Sequence, residues 1–211
     1  MKAAQRDESD ERVIHRLEAF SDIVIGFSLA QLSLNFVIPA RMEYVYTRPV
    51  TLIAFAFTFF VISIFWWAHR RVFADWFVPT RFTVILNFIV LGLVVWLVYQ
   101  LQLFIRFEPT PDRILATTSY VITYALVYIL LGVLLLVCMR IRWKAVDETV
   151  RRSAIGALGR IAAVSLGQLA ALLLCRAFGW EIQWSFCGIL AGLTIWLVLR
   201  RAVERAVLVE R

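Results

Sequence analysis

Asp22, Ser21, Ser28, Gln31, Ser33 and Asn35 stand within a single apolar run, "RLEAFSDIVIGFSLAQLSLNFVIP" (Arg16 to Pro39), and no other apolar run in the chain is so rich in polar side chains. A carboxylate, three hydroxyls and two primary amides in that arrangement offer two kinds of chemistry. Asp22 is a site for proton exchange, and the neutral groups can replace part of an ion's water shell with fixed dipoles. The amides of Gln31 and Asn35 are the more telling, because a primary amide in hydrocarbon is costly unless it finds partners. The serines alone mean little, since a helical serine can bond to its own backbone carbonyls. With Ser21 set at zero on a helix of about 100° per residue, Ser28 falls at about 340°, Asn35 at about 320° and Gln31 at about 280°, with Val24 inside the same stripe. Phe27, Leu34 and Ile38 flank it, between about 220° and about 260°, while Asp22 and Ser33 share the nearly opposite side at about 100–120°. Two solutions satisfy the neutral stripe: bonds to neighbouring helices, or a water-filled path. Its extent along the whole helix favours the path. Asp22 lies in the early turns, near the positive dipole end, with Arg16, His69 and nearby loop arginines as candidate partners. With a single acid inside a span, a fixed network within the subunit is favoured over a proton relay.

Other chemistry is thinly represented. There is no HExxH, GxSxG, paired-acid or phosphate-loop pattern, so no enzyme and no cofactor is expected. Cys138, Cys175 and Cys187 lie in or near apolar runs without metal-ligand spacing, and they read as small packing residues.

The elements that must position these groups are membrane helices. Of 211 residues 62% are hydrophobic and 18% charged, far to the apolar side of soluble domains. Six runs are long enough to cross a bilayer, over 17–38, 50–68, 82–104, 115–139, 154–175 and 182–199. Connections are short, so the expected organisation is a polar tail over 1–12, one helical domain over 13–203 and a second tail over 204–211. A cleaved signal is not expected, because "RDESDER" precedes a full-length span that contains a carboxylate. The +7 net charge has a topological reading: sixteen of the 22 Lys and Arg fall on one side of the membrane and five on the other, with Arg160 inside the fifth span. That asymmetry predicts both termini in the cytoplasm and no nucleic-acid partner. "PARMEYVYTRP" is expected as an outer loop, and "RIRWKAVDETVRR" as a helical extension lying along the inner interface. Gly188 and Gly192, four apart, and the small residues of "IGALG" and "SLGQLAA" predict close helix packing. Tyr120, Tyr124 and Tyr128 form a stripe expected to pack between helices with hydrogen-bonded tips.

Three of these features together resemble the transmembrane-protein-175 family of potassium channels. Arg16-x-x-x-Phe20-Ser21-Asp22 matches the R-x-x-x-F-S-D signature that opens its first helix. Trp66-x-x-His69-x-x-x-Phe73 looks like its W-x-x-H-x-x-x-F element, and Asn87 resembles the asparagine of its L-N stretch. Six spans in a chain of this length fit a prokaryotic single-repeat member. The resemblance implies a homotetramer around a central pore lined by the first helix of each subunit. It also implies a constriction of side-chain layers in place of a TVGYG filter, and a signature network that faces away from the pore. The family's layer positions, usually Ile or Leu, correspond to Phe27, Gln31 and Leu34. The usual threonine is Ala30, and the usual Pro-Phe of the third span is replaced around "VYQLQLF". An amide in the middle layer hydrates the constriction or closes a hydrogen-bonded ring with its symmetry mates.

The resulting expectation is an all-α, six-span, potassium-permeable cation channel of a prokaryotic cell membrane, acting on potassium or other monovalent cations as a homo-oligomer in the lipid bilayer. Phe27, Ser28, Gln31, Leu34, Asn35 and Ile38 would line the path. Arg16, Phe20, Ser21, Asp22, Trp66, His69 and Asn87 would hold the pore helix in register. A secondary transporter or a non-conducting relative is the alternative.

Overall fold

The computed structural model describes residues 2–34, 49–107, 110–180, 185 and 187–209. Asn35, Ile38 and the outer loop over 39–48 lie outside the described residues. Within them every regular element is a helix: α1 (Lys2–Leu34), α2 (Pro49–Asp75), α3 (Arg81–Phe107), α4 (Arg113–Arg142), α5 (Glu148–Phe178) and α6 (Cys187–Val209). The first five are long and apolar enough to cross a membrane, and α6 carries a shorter apolar stretch over Cys187–Leu199. Neither expected tail boundary is a break in secondary structure, since α1 runs through 12/13 and α6 through 203/204.

Local chemistry places the helix ends. Pro49 opens α2, where its missing N–H costs nothing. Before α3, Thr80 Oγ1 accepts from the backbone N–H of Thr83 (3.2 Å) and Thr83 Oγ1 accepts from that of Thr80 (2.9 Å), a reciprocal cap. The "RIRWKAVDETVRR" segment is not an interfacial helix. α4 ends at Arg142, a short turn follows, and Asp147 takes an extended conformation (φ −67°, ψ 156°) to start α5. Asp-Glu at a helix start favours a new N-terminus over continuation, and Glu148 then holds Arg152 at 3.0 Å. Gly179, at φ 66°, ends α5 in the left-handed conformation open to glycine.

The helices pack in sequence order, α3 on α4, α4 on α5 and α5 on α6, while α1 sits at one edge against α2 and α3. α4 occupies the middle, with Val121, Leu131, Leu134 and Cys138 fully buried. The tyrosine stripe packs between helices as expected. Thr58 Oγ1 donates to the Ala54 carbonyl (2.9 Å), so Tyr120 donates its hydroxyl to Thr58 Oγ1 (2.7 Å), and Tyr128 donates to the Val61 carbonyl at 3.0 Å. Between α5 and α6 the backbones touch: a Cβ on Gly167 would meet the Gly188 carbonyl oxygen at 2.6 Å, and one on Gly192 would collide with the Ala163 carbonyl.

Candidate functional site: the first helix and its anchor

The buried side of α1 consists of Ser21, Ile25, Ser28 and Leu32, spaced i, i+4, i+7 and i+11, each at most 2% exposed. Both serines are satisfied locally: Ser21 Oγ donates to the Leu17 carbonyl (2.7 Å) and Ser28 Oγ to that of Val24 (2.8 Å). Self-bonded serines present little polarity to a neighbouring helix, which is why they tolerate the interior.

Ser21 also anchors α1 to the bundle. Asn87 of α3 donates Nδ2–H to Ser21 Oγ (3.4 Å), and its Oδ1 lies 2.8 Å from His69 Nε2 of α2. With the amide N–H turned to Ser21, Oδ1 is the acceptor and His69 donates from Nε2. Three helices thus meet at three side chains, all buried. His69 is further fixed by stacking on Phe73 of its own helix (centroids 4.6 Å apart), which in turn stacks on Phe77 just beyond the helix end (4.0 Å). A second tie runs alongside: Trp66 donates Nε1–H to Asp22 Oδ1 at 2.7 Å, and the Arg70 guanidinium lies 5.7 Å over the Trp66 ring. Phe20 packs edge-on against Phe88 of α3 (5.6 Å). Six of the seven expected network residues therefore cluster at the α1–α2–α3 junction. Arg16 does not join them: it is exposed and makes no polar contact among the described residues.

The expected lining residues separate. Phe27 (71% exposed), Gln31 and Leu34 (80% exposed) project from the side of α1 that none of the other described helices covers. Ser28, at 2% exposure, points instead into the bundle with Ile25 and Leu32. Ile23, 56% exposed, and Ala30 belong to the uncovered face instead. The signal that would have found them is an apolar i, i+4, i+7, i+11 series, Ile23, Phe27, Ala30 and Leu34, running opposite the self-bonded serines.

The comparisons with known proteins fall on the same elements. Residues 16–97, α1 from Arg16 through most of α3, match the family model "Endosomal/lysosomal potassium channel TMEM175", which describes channels rather than enzymes. A protein of Marivirga tractuosa named "Potassium channel" is 30% identical over 92 residues, which are 44% of this chain and 37% of that protein. Among solved structures, a lysosomal potassium-selective channel TMEM175 homolog from Chamaesiphon minutus superposes with a TM-score of 0.67 at 19% identity, covering 89% of this chain and 97% of that one. A variant of the potassium channel MtTMEM175, solved with a nanobody fusion protein, gives 0.65 at 20% identity, covering 90% and 93%. The fold of the six helices is therefore that of these structures.

Proposed function

We propose, from the family match over residues 16–97, that the chain is a potassium-permeable cation channel. Copies of it, four in the simplest assembly, would set their α1 helices around a shared axis in the membrane, with both termini in the cytoplasm. The observation that carries this reading is the division of α1. One face is locked to α2 and α3 through Ser21, Asn87 and His69, and the other, with Phe27, Gln31 and Leu34, has none of the described helices against it. A membrane helix with such an anchor and an amide on its uncovered face suits a shared aqueous path better than contact with lipid.

In this reading Phe27 and Leu34 narrow the path as apolar rings, and Gln31 between them supplies amide dipoles that replace part of the hydration of a passing monovalent cation. Asn35 and Ile38, which lie outside the described residues, are kept as lining residues of this proposal on the sequence pattern alone. The constriction is made of side chains, with no TVGYG carbonyl filter. The deciding experiment is potassium and sodium flux in liposomes for the parent and Gln31→Leu. An apolar middle ring is expected to lower flux or shift the potassium-to-sodium ratio while the oligomer stays intact. Flux equal to the parent's in both ions would remove Gln31 from the path, and absence of flux in the parent would favour the transporter or non-conducting alternative.

A further inference from the structure

Asn87 pairs both ends of its amide, whereas Gln168 of α5 pairs neither: it is fully buried, and neither Nε2 nor Oε1 has a hydrogen-bond partner among the described residues. Ser165, one turn earlier on α5, is buried with its hydroxyl likewise unpartnered. Ser21, Ser28, Thr117 and Thr123 show the usual solution for a buried hydroxyl in this bundle, a bond back to their own helix. Ser165 does not take it. An amide and a hydroxyl left bare in hydrocarbon are costly, and an open cavity ends beside these two. It has a volume of about 300 Å³, lies among α2, α4, α5 and α6, and is walled by Tyr128 of α4 and by Ala154, Ala157, Ile161 and Val164 of α5. Those four α5 residues follow one another by three, four and three positions, and Gln168, four further on, is the next place on the same stripe. The other end of the cavity lies at Asp75 and Ser153, at the arginine-rich end of the bundle. Helical side chains lean toward the N-terminus of their helix, so Gln168 leans toward Val164 and the cavity. The facing residue of α4 is small. A Cβ on Gly132 would meet Ile161 Cγ2 at 3.1 Å, and a step of seven residues along each antiparallel helix brings Ala125 opposite Gln168.

We propose that Gln168 and Ser165 form a binding site for ordered water, which enters through this cavity. The chemistry of the amide selects the ligand. Nε2–H calls for an acceptor and Oε1 for a donor, and water is both at once. A monovalent cation would suit Oε1 alone and would be repelled by the neighbouring N–H, and an acyl chain satisfies neither atom. The Ser165 hydroxyl supplies a third partner, which matches the roughly three hydrogen bonds of a typical buried water. The site stands apart from the uncovered face of α1, because α1 packs only against α2 and α3. Water held there joins no two copies of the chain, and it fixes the α4–α5 contact from within one subunit.

A structure of the full-length protein in lipid, at a resolution that shows ordered water, tests the assignment. Water is expected within hydrogen-bond distance of the Gln168 amide in the parent, and none at that place in Gln168→Leu. An amide bonded only to protein groups overturns the proposal, and so does an acyl chain lying against it. Crystals grown with thallium in place of potassium separate water from a cation: an anomalous peak at Gln168 Oε1 would mark a cation site and overturn it as well. Radiolytic hydroxyl labelling read by mass spectrometry gives a second measurement that needs only one folded variant. Water at this end of the cavity should label Tyr128 of the parent in spite of its burial. Val164→Phe, which keeps Gln168 and fills the end of the cavity, and Gln168→Leu should each lower that labelling severalfold. Labelling of Tyr128 equal to the parent's in whichever variant folds overturns the proposal.

Discussion

Asn87 satisfies two helices with one amide, and few side chains can replace it. Leucine there would leave His69 Nε2–H without its acceptor and remove the donor to Ser21, at a place buried from solvent. Asn87→Leu is therefore expected to lower stability by about 1–3 kcal/mol, the cost of a buried polar group left unsatisfied, seen as a lower Tm in detergent. Ser28→Ala is its counterpart. Because Ser28 bonds to its own helix, its loss should leave stability within about 1 kcal/mol of the parent, and cation flux unchanged. A change in flux from Ser28→Ala alone would contradict the burial of that residue. The family resemblance pointed to a network of Ser21, Trp66, His69 and Asn87, whereas Ser28, read as part of a polar stripe, is buried and bonded to its own backbone. A hydroxyl counts as polar on a helical wheel whether or not its own backbone has already satisfied it.

The helices themselves were legible because hydrocarbon thickness makes spans long and uniformly apolar, so the six runs and the six helices fall in the same places. Their ends were not. The charged segment after α4 looked like a surface helix, and only the Asp147–Glu148 start signal separates it into a turn and the opening of α5. The small-residue spacing of α5 and α6 was readable, and the close contact explains why it matters: at Gly167, Gly188 and Gly192 any Cβ would strike the facing helix. Gly192→Leu should force α5 and α6 apart, giving a lower Tm and greater protease sensitivity of the α5–α6 connection, whereas Gly156→Ala, in open space, should be neutral or slightly stabilising. Equal Tm in parent and Gly192→Leu would mean that the two helices do not depend on each other.

At the scale of the whole molecule, the proposed assembly makes a geometric demand. If α1 faces the α1 helices of sister copies, cysteines on its uncovered side must come close across the axis, and cysteines on its buried side must not. In a background with Cys138, Cys175 and Cys187 changed to alanine, Leu34→Cys and Phe27→Cys should form disulfide-linked dimers in membranes under mild oxidation, and Ile25→Cys should not. Cross-linking from Ile25→Cys alone would reverse the orientation of the helix. The number of copies was never legible in one chain, since symmetry leaves no mark on a sequence beyond an uncovered face. That face, bounded by self-bonded serines on one side and an exposed amide on the other, is what one sequence can carry of an assembly.

The unbroken run of α1 from Lys2 to Leu34 has a mechanical consequence. At about 1.5 Å per residue such a rod is about 50 Å long, well beyond the roughly 30 Å of hydrocarbon, so a substantial length of it stands outside the bilayer. As the helix is continuous, a twist applied to the charged stub turns Phe27, Gln31 and Leu34 with it. The His69–Asn87–Ser21 contact then serves as the fulcrum that such a lever would have to work against.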